Sequence, residues 1–218
     1  MQILSVNVSA GREIDYMGKK LRTGIFKEPV KGRVTLRRLN LDGDAQSDLI
    51  NHGGIYKAAY VYSVENYEYW QQELHRNGFA FGQFGENLTV RGMLEDRIHI
   101  GDIFRVGSAK VEVTQPRVPC YKLGIRMDLP DFPKTFLASG RVGFMLRVLE
   151  EGEVGAGDSF ERLTVDPEKT TIREIHHLLY FNPDNLPGAR RALLIRALSP
   201  GWRRSFEKRL AEAEKEAQ

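Results

Sequence analysis

The sequence predicts a mainly β, α+β architecture, with a barrel-type domain carrying peripheral helices over residues 1–165 and a small three-helix domain over residues 166–218. Three observations predict it. Up to about residue 165, glycine recurs roughly every eight to twelve residues with short alternating segments between. Two Gly-Asp turns, IGDIF (100–104) and AGDSF (156–160), echo one another ahead of strand patterns, as where a barrel strand turns a corner. Beyond residue 165 this spacing gives way to helical periodicity with capping signals. Nowhere do strands alternate regularly with helices, so a βαβ series is excluded.

The elements follow in order. MQILSVNVSAG alternates apolar and polar residues and reads as a first strand. RVTLRRLNL (33–41) alternates through Val34, Leu36 and Leu41, and residues 97–115 read as two or three strands. VGFMLRVLEEG (142–152) is a further strand entering a turn. Two helices interrupt the β region. Residues 62–76 open on Ser63 as N-cap and repeat Tyr67, Trp70 and Leu74, and residues 131–140 end at Gly140. The tail begins with a capping box, Thr171 and Glu174, over 170–181. Two more helices follow over 185–198 and 199–216, the last with Trp202, Phe206 and Leu210 on one stripe.

The totals exclude several classes. A hydrophobic content of 41% supports a proper core, and no run of eighteen apolar residues suggests a membrane helix. The N-terminus lacks a basic region followed by an apolar block, so it does not read as a signal peptide. One cysteine cannot form an internal disulfide, which fits a cytoplasmic chain, and it cannot ligate an iron–sulfur cluster or a cysteine-based zinc site. The net charge of +3 allows an anionic ligand without arguing for nucleic acid.

Three clusters carry chemistry. LDGDAQSDLINHGGIYKAAYVYS (41–63) packs Asp42, Asp44, Asp48, Asn51, His52, Gly53, Gly54 and Lys57 into one connection. Gly53 and Gly54 allow close backbone approach to a ligand, and His52 and Lys57 offer charge for an anion. FGQFGENLTVRG (81–92) places Glu86 and Asn87 in a tight turn before a strand. QPRVPC holds Gln115, Arg117 and the single thiol, Cys120, with Lys122 two residues on. Arg117 and Lys122 favour thiolate, and Pro116 and Pro119 stiffen the approach to Cys120. Each cluster also has a plain reading: a turn, a hydrogen-bonded histidine, a hairpin corner, an inert packed thiol. By residue chemistry Cys120 is a nucleophile, with His52 and Asn51 as candidate base and orienting group whose geometry the sequence does not fix, or a soft single ligand to a metal held mainly by an organic cofactor. A peroxide-reducing thiol fits less well, lacking a resolving partner.

In this order NHGGIYKAAYVYS, FGENLTV, IGDIFRVG and QPRVPCYKL resemble the bacterial YiiM-type members of the MOSC family, the molybdenum cofactor sulfurase C-terminal domain family. The resemblance spans residues 1 to about 165, and the tail resembles the three-helix domain that follows in this branch. It implies a MOSC-type β-barrel and a bound molybdenum cofactor (Mo-molybdopterin) with Cys120 as the protein thiolate on the metal. It also implies His52, Gly53, Gly54, Lys57 and Arg117 as cofactor-binding positions. Lys57 and Arg117 are the expected partners of the cofactor phosphate. Asn87 and Gln115 are expected at the pterin edge. Glu86 is a proton donor or a structural carboxylate, with the structural role favoured. The resemblance also carries an association with pyridoxal phosphate binding.

The implied activity is reduction of N-hydroxylated compounds such as 6-hydroxylaminopurine. Electrons would come from a separate reductase, since the chain has no iron–sulfur ligand set and GAGD (155–158) is no dinucleotide fingerprint. The alternative is a cofactor or sulfur carrier in which Cys120 bears a persulfide and no turnover occurs. Nucleic acid and membrane are not expected partners: Arg190, Arg191, Arg203 and Arg204 are balanced by Glu207, Glu212, Glu214 and Glu216. The tail covers the cofactor mouth, docks the reductase or builds a homodimer.

Overall fold

A computed structural model describes residues 1–45 and 53–216. Its strands are β1 (Gln2–Val8), β2 (Arg12–Tyr16), β3 (Lys19–Thr23), β4 (Glu28–Pro29), β5 (Arg33–Leu36), β6 (Ala59–Ser63), β7 (Leu88–Arg91), β8 (Ile103–Val106), β9 (Ala109–Pro116), β10 (Phe144–Glu150), β11 (Gly152–Gly155) and β12 (Phe160–Thr164). The helices are α1 (Val64–Glu73), α2 (Tyr121–Met127), α3 (Phe132–Ala138), α4 (Ile172–Tyr180), α5 (Leu186–Ala192) and α6 (Pro200–Glu216).

Eight strands form one mixed sheet in the order β12-β8-β9-β10-β6-β7-β1-β4, with only β6 and β7 parallel. β2 and β3 form a separate hairpin, and β11 pairs with β5. The expected barrel is realised as a sheet that curls on itself without a full closing ladder. β4 is only two residues long and pairs with the far end of β1, so β1's near end meets the turn before β12 instead. There Ile3 N–H donates to Asp158 O at 2.8 Å and Phe160 N–H donates to Met1 O at 3.0 Å. The two Gly-Asp turns lead into β8 and β12, and Gly101 (φ +92°) and Gly157 (φ +95°) hold the left-handed conformation each turn requires.

Sequence and structure differ most at AAYVYS. Residues 59–63 are a central strand buried at every position, and the helix begins only at Val64. Both faces of β6 are covered, so its residues do not alternate and no period-2 signal marks it. Ser63 occupies the N-cap position but makes no capping bond, its hydroxyl donating to the Glu65 carboxylate. Residues 97–115 hold two strands, β8 and β9. The capping box forms as expected, with Glu174 N–H donating to Thr171 Oγ at 3.1 Å and Thr171 N–H to Glu174 Oε2 at 2.7 Å.

Two apolar clusters hold the molecule together. The larger fills the inside of the sheet and runs without a break into the C-terminal helices through Ile172, Ile175, Ala189, Trp202 and Phe206. The smaller is aromatic, joining Tyr62, Tyr67, Trp70, Phe84, Phe132 and Phe136 under α1 and α3. The helices therefore extend the main core, and this brings the start of α6 against the sheet domain.

Candidate functional site

β9 carries the chain to Pro116, where the ladder with β10 ends. Arg117 N–H then donates to Gly143 O at 3.2 Å, which keeps the outgoing segment against the neighbouring strand. Cys120 follows at the N-cap of α2 in extended conformation, half-buried and outside any disulfide. It lines a cavity of about 590 Å³. The glycine-rich connection arrives from another direction. Gly53 and Gly54 lead into a single 3-10 turn, Ile55–Lys57, and all five residues line the same cavity. Gly54 sits at φ +95°, a conformation that strongly favours glycine, and a Cβ there would meet nothing within 4 Å.

Of the residues singled out in the sequence, the cavity brings together Gly53, Gly54, Lys57, Asn87, Gln115, Arg117, Cys120 and Lys122. His52, Asp48 and Asn51 lie outside the described residues. Glu86 stands behind the wall, fully buried, and both its oxygens are occupied. Oε1 accepts from Tyr67 O–H, Gly82 N–H and Thr89 O–H, and Oε2 accepts from Phe84 N–H. That is a structural carboxylate closing the FGEN turn. Burial pushes its pKa up, while the hydrogen bonds from Thr89 and Tyr67 pull it back.

Asn87 is likewise committed to the frame. Its Oδ1 accepts from Tyr60 N–H at 3.1 Å, and its Nδ2 donates to Asp44 Oδ2 at 2.9 Å and to Asn7 O at 3.3 Å. The carboxamide lines the cavity and ties three segments of the wall together. Gln115 is the freer of the two, with one long bond of 3.4 Å to Pro116 O.

Arg117 is 6% exposed, its guanidinium 4.8 Å from the Tyr60 ring and 5.4 Å from the Phe136 ring. Its Nη1 is buried without a hydrogen-bond partner. Tyr60 donates its hydroxyl to Val142 O at 2.9 Å, and burial raises its pKa far above the usual phenol range, with Arg117 opposing. Lys27 and Asp44 form a buried ion pair in the wall, and burial pulls the Lys27 pKa down against the pull of Asp44. The described cationic lining residues are Lys27, Lys57, Arg117, Lys122 and Arg204, against the single carboxylate Asp44, a balance of five minus one. The described charged lining is net positive, which suits an anion.

Sequence reading named neither Lys27 nor Tyr60, and for the tail it left covering the cavity as one of three roles without naming the residues. Tyr180, Ser199, Gly201, Trp202 and Arg204 line the cavity. Nothing local marks them, because each joins the site through packing between segments far apart in the chain. The tail arginines flagged by charge mostly serve helix ends and ion pairs. Arg203 donates to Leu193 O and Ile195 O, Arg190 pairs with Glu214 and Arg191 with Glu168. Among the described residues no three His, Cys, Asp or Glu side chains are placed to hold a bare metal ion. None of the described helices is long and apolar enough to cross a membrane.

A curled mixed sheet with one thiol lining a cationic cavity, walled in part by the C-terminal helices, defines a class. The chain belongs to the MOSC domain family, whose characteristic pattern matches residues 48–161. Residues 171–213 match the YiiM-like 3-alpha helix domain, which sets it in the YiiM-like branch. It is 41% identical to the protein YflK of Bacillus subtilis over 95% of this chain and 93% of that one. It is 29% identical to a protein named Reductase from Gibberella moniliformis, covering 80% of this chain but 32% of the fungal one. The crystal structure of YiiM from Geobacillus stearothermophilus superposes with a TM-score of 0.81 at 34% identity, covering 96% of this chain and 98% of that one. MOSC domains are associated with the molybdenum cofactor.

Proposed function

We propose that this protein reduces N-hydroxylated compounds with a molybdenum cofactor held in the cavity, Cys120 serving as the protein ligand to the metal. The observation that carries it is the single thiol opening onto a cavity of about 590 Å³ whose described charged lining is five cations and one carboxylate. When bound, the cofactor supplies a metal centre that takes up oxygen and exchanges two electrons, on a pterin bearing a terminal phosphate.

The residues present fit such a group. The orphaned Arg117 Nη1 supplies a buried cationic donor in want of an acceptor. Gly53 and Gly54 let the backbone come close where any side chain would stand in the way. Lys57 adds positive charge beside them, and Gln115 offers an amide on the β9 side. Asn87, Asp44 and Lys27 hold the wall in shape.

The overall change is R–NHOH + 2 e⁻ + 2 H⁺ → R–NH₂ + H₂O. The chain must therefore admit protons as well as substrate, and Lys27 is a described lining group whose hold on its proton burial weakens. Electrons come from a separate reductase, because one cysteine cannot ligate an iron–sulfur relay.

Metal analysis by mass spectrometry tests the reading, on protein expressed in a cofactor-competent host beside Cys120→Ala. Near-stoichiometric molybdenum is expected in the wild type, with loss of metal or of reductase-coupled activity in the variant. A gently purified wild type without molybdenum would sink the proposal in favour of a thiol carrier.

A further inference from the structure

The part of the cavity wall built by the tail has the chemistry of an anion receptor. The chain enters α6 as Ser199-Pro200-Gly201-Trp202-Arg203-Arg204-Ser205. Pro200 has no N–H. The first helical hydrogen bond runs from Arg203 N–H to Ser199 O at 3.0 Å, so the N–H groups of Gly201 and Trp202 precede it without an intrahelical acceptor. They form the positive end of a helix of 17 residues.

A second, independent observation points to a ligand. Ser199 is 3% exposed, lines the cavity, and its Oγ has no hydrogen-bond partner. Buried hydroxyls are nearly always paired, and an acceptor oxygen in the cavity would pair this one. The approach is open, since a Cβ added at Gly201 would meet nothing within 4 Å. Arg204 also lines the cavity and has no ion-pair partner among the described residues.

We propose that the start of α6 is a phosphate-monoester subsite. The Ser199 hydroxyl, the Gly201 and Trp202 N–H groups and the Arg204 guanidinium take the phosphate oxygens, separately from Arg117 and Lys57 on the sheet side. Two sources offer that chemistry: the terminal phosphate of a pterin cofactor, and the phosphate of a nucleotide-type substrate. The subsite stands on the tail residues alone and does not depend on molybdenum being the metal.

Trp202 reports on it directly. It is one of two tryptophans, and the other, Trp70, is buried in the separate aromatic cluster under α1 and α3. Inorganic phosphate titrated into metal-free full-length protein should give a saturable change in tryptophan emission. Arg204→Ala should weaken the apparent affinity about tenfold or more, and Ser199→Ala similarly. Arg204 is exposed, so its variant should fold even if the buried Ser199→Ala does not. In cofactor-loaded protein, reduced molybdenum content in Arg204→Ala assigns the subsite to the cofactor. Unchanged molybdenum, with KM raised for an N-hydroxylated nucleoside monophosphate but not for the free base, assigns it to the substrate. No saturable response, or one that neither variant weakens, overturns the proposal. So does unchanged metal content together with unchanged KM values for both substrates.

Discussion

Replacing Glu86 with glutamine keeps the side chain's shape and removes its charge at the centre of the FGEN turn. Four donors converge on this carboxylate: Tyr67 O–H, Thr89 O–H at 2.6 Å and Gly82 N–H at 2.8 Å on one oxygen, and Phe84 N–H at 3.1 Å on the other. In Glu86→Gln the carbonyl oxygen can keep the first three, and the new NH₂ then faces the Phe84 N–H. One charge-assisted bond is lost and two donors oppose each other, a cost of roughly 1.5–3 kcal/mol, partly offset because a neutral amide is cheaper to bury. The expected net loss is about 2 kcal/mol, or a fall in Tm of roughly 4–8 °C for a chain of this size. Glu86→Ala strands all four donors and should cost about 4 kcal/mol or more, at ~1 kcal/mol for each.

Urea and thermal unfolding measure this, with kcat/KM taken well below Tm, where Glu86→Gln should stay within about twofold of wild type. The pH dependence adds a sign. Burial raises the Glu86 pKa in the folded state, so its contribution is fully present below the unfolded-state value of 4.5 and is lost as pH rises through the folded one. Glu86→Gln should abolish that component. A variant as stable as wild type but a hundredfold less active would refute the structural role and make Glu86 part of the chemistry.

Two further expectations concern the wall and the tail. Asp44→Asn removes the counter-charge of Lys27, which is 8% exposed, and also disturbs the Ser9 N–H and Asn87 bonds to that carboxylate, at 2.9 Å each. Urea unfolding should show a loss of about 3–5 kcal/mol, and a loss below ~1 kcal/mol would mean that the pair is screened by water. His176 is 1% exposed among Tyr180, Phe181, His177 and Arg173, and burial, then those two cationic neighbours, pulls its pKa from 6.5 to about 4. A base with a depressed pKa contributes stability that is present above pH 6.5 and lost as pH falls toward 4, about 3 kcal/mol for that shift. His176→Phe should lack this acid-side loss and, with the unpartnered Nε2 gone, should be at least as stable as wild type at pH 7. An acid-side slope unchanged in the variant would place the titration elsewhere.

What could be read from the sequence was what neighbouring residues decide. Capping at Thr171 and Glu174, the left-handed glycines of the two Gly-Asp turns and the stripe of Trp202, Phe206 and Leu210 are local choices, and the structure carries each of them. The lone thiol just after Pro116 and Pro119 was legible for the same reason. Its significance rested on the order of four motifs rather than on any single spacing. The central strand β6 was not legible, because a segment covered on both faces has no polar side to give it a period. Glu86 and Asn87 stood out as polar residues near a turn, but only the fold shows that their hydrogen bonds are used up inside the wall. The tail was legible as three helices, and its place at the site only as one of three possible roles. Ser199, Trp202 and Arg204 reach the cavity because one apolar cluster runs from the sheet into α4, α5 and α6. Sequence determines which residues can hold a charge, a thiol or a turn. Long-range packing, which puts residue 204 and residue 120 on the wall of one cavity, determines which of them share it.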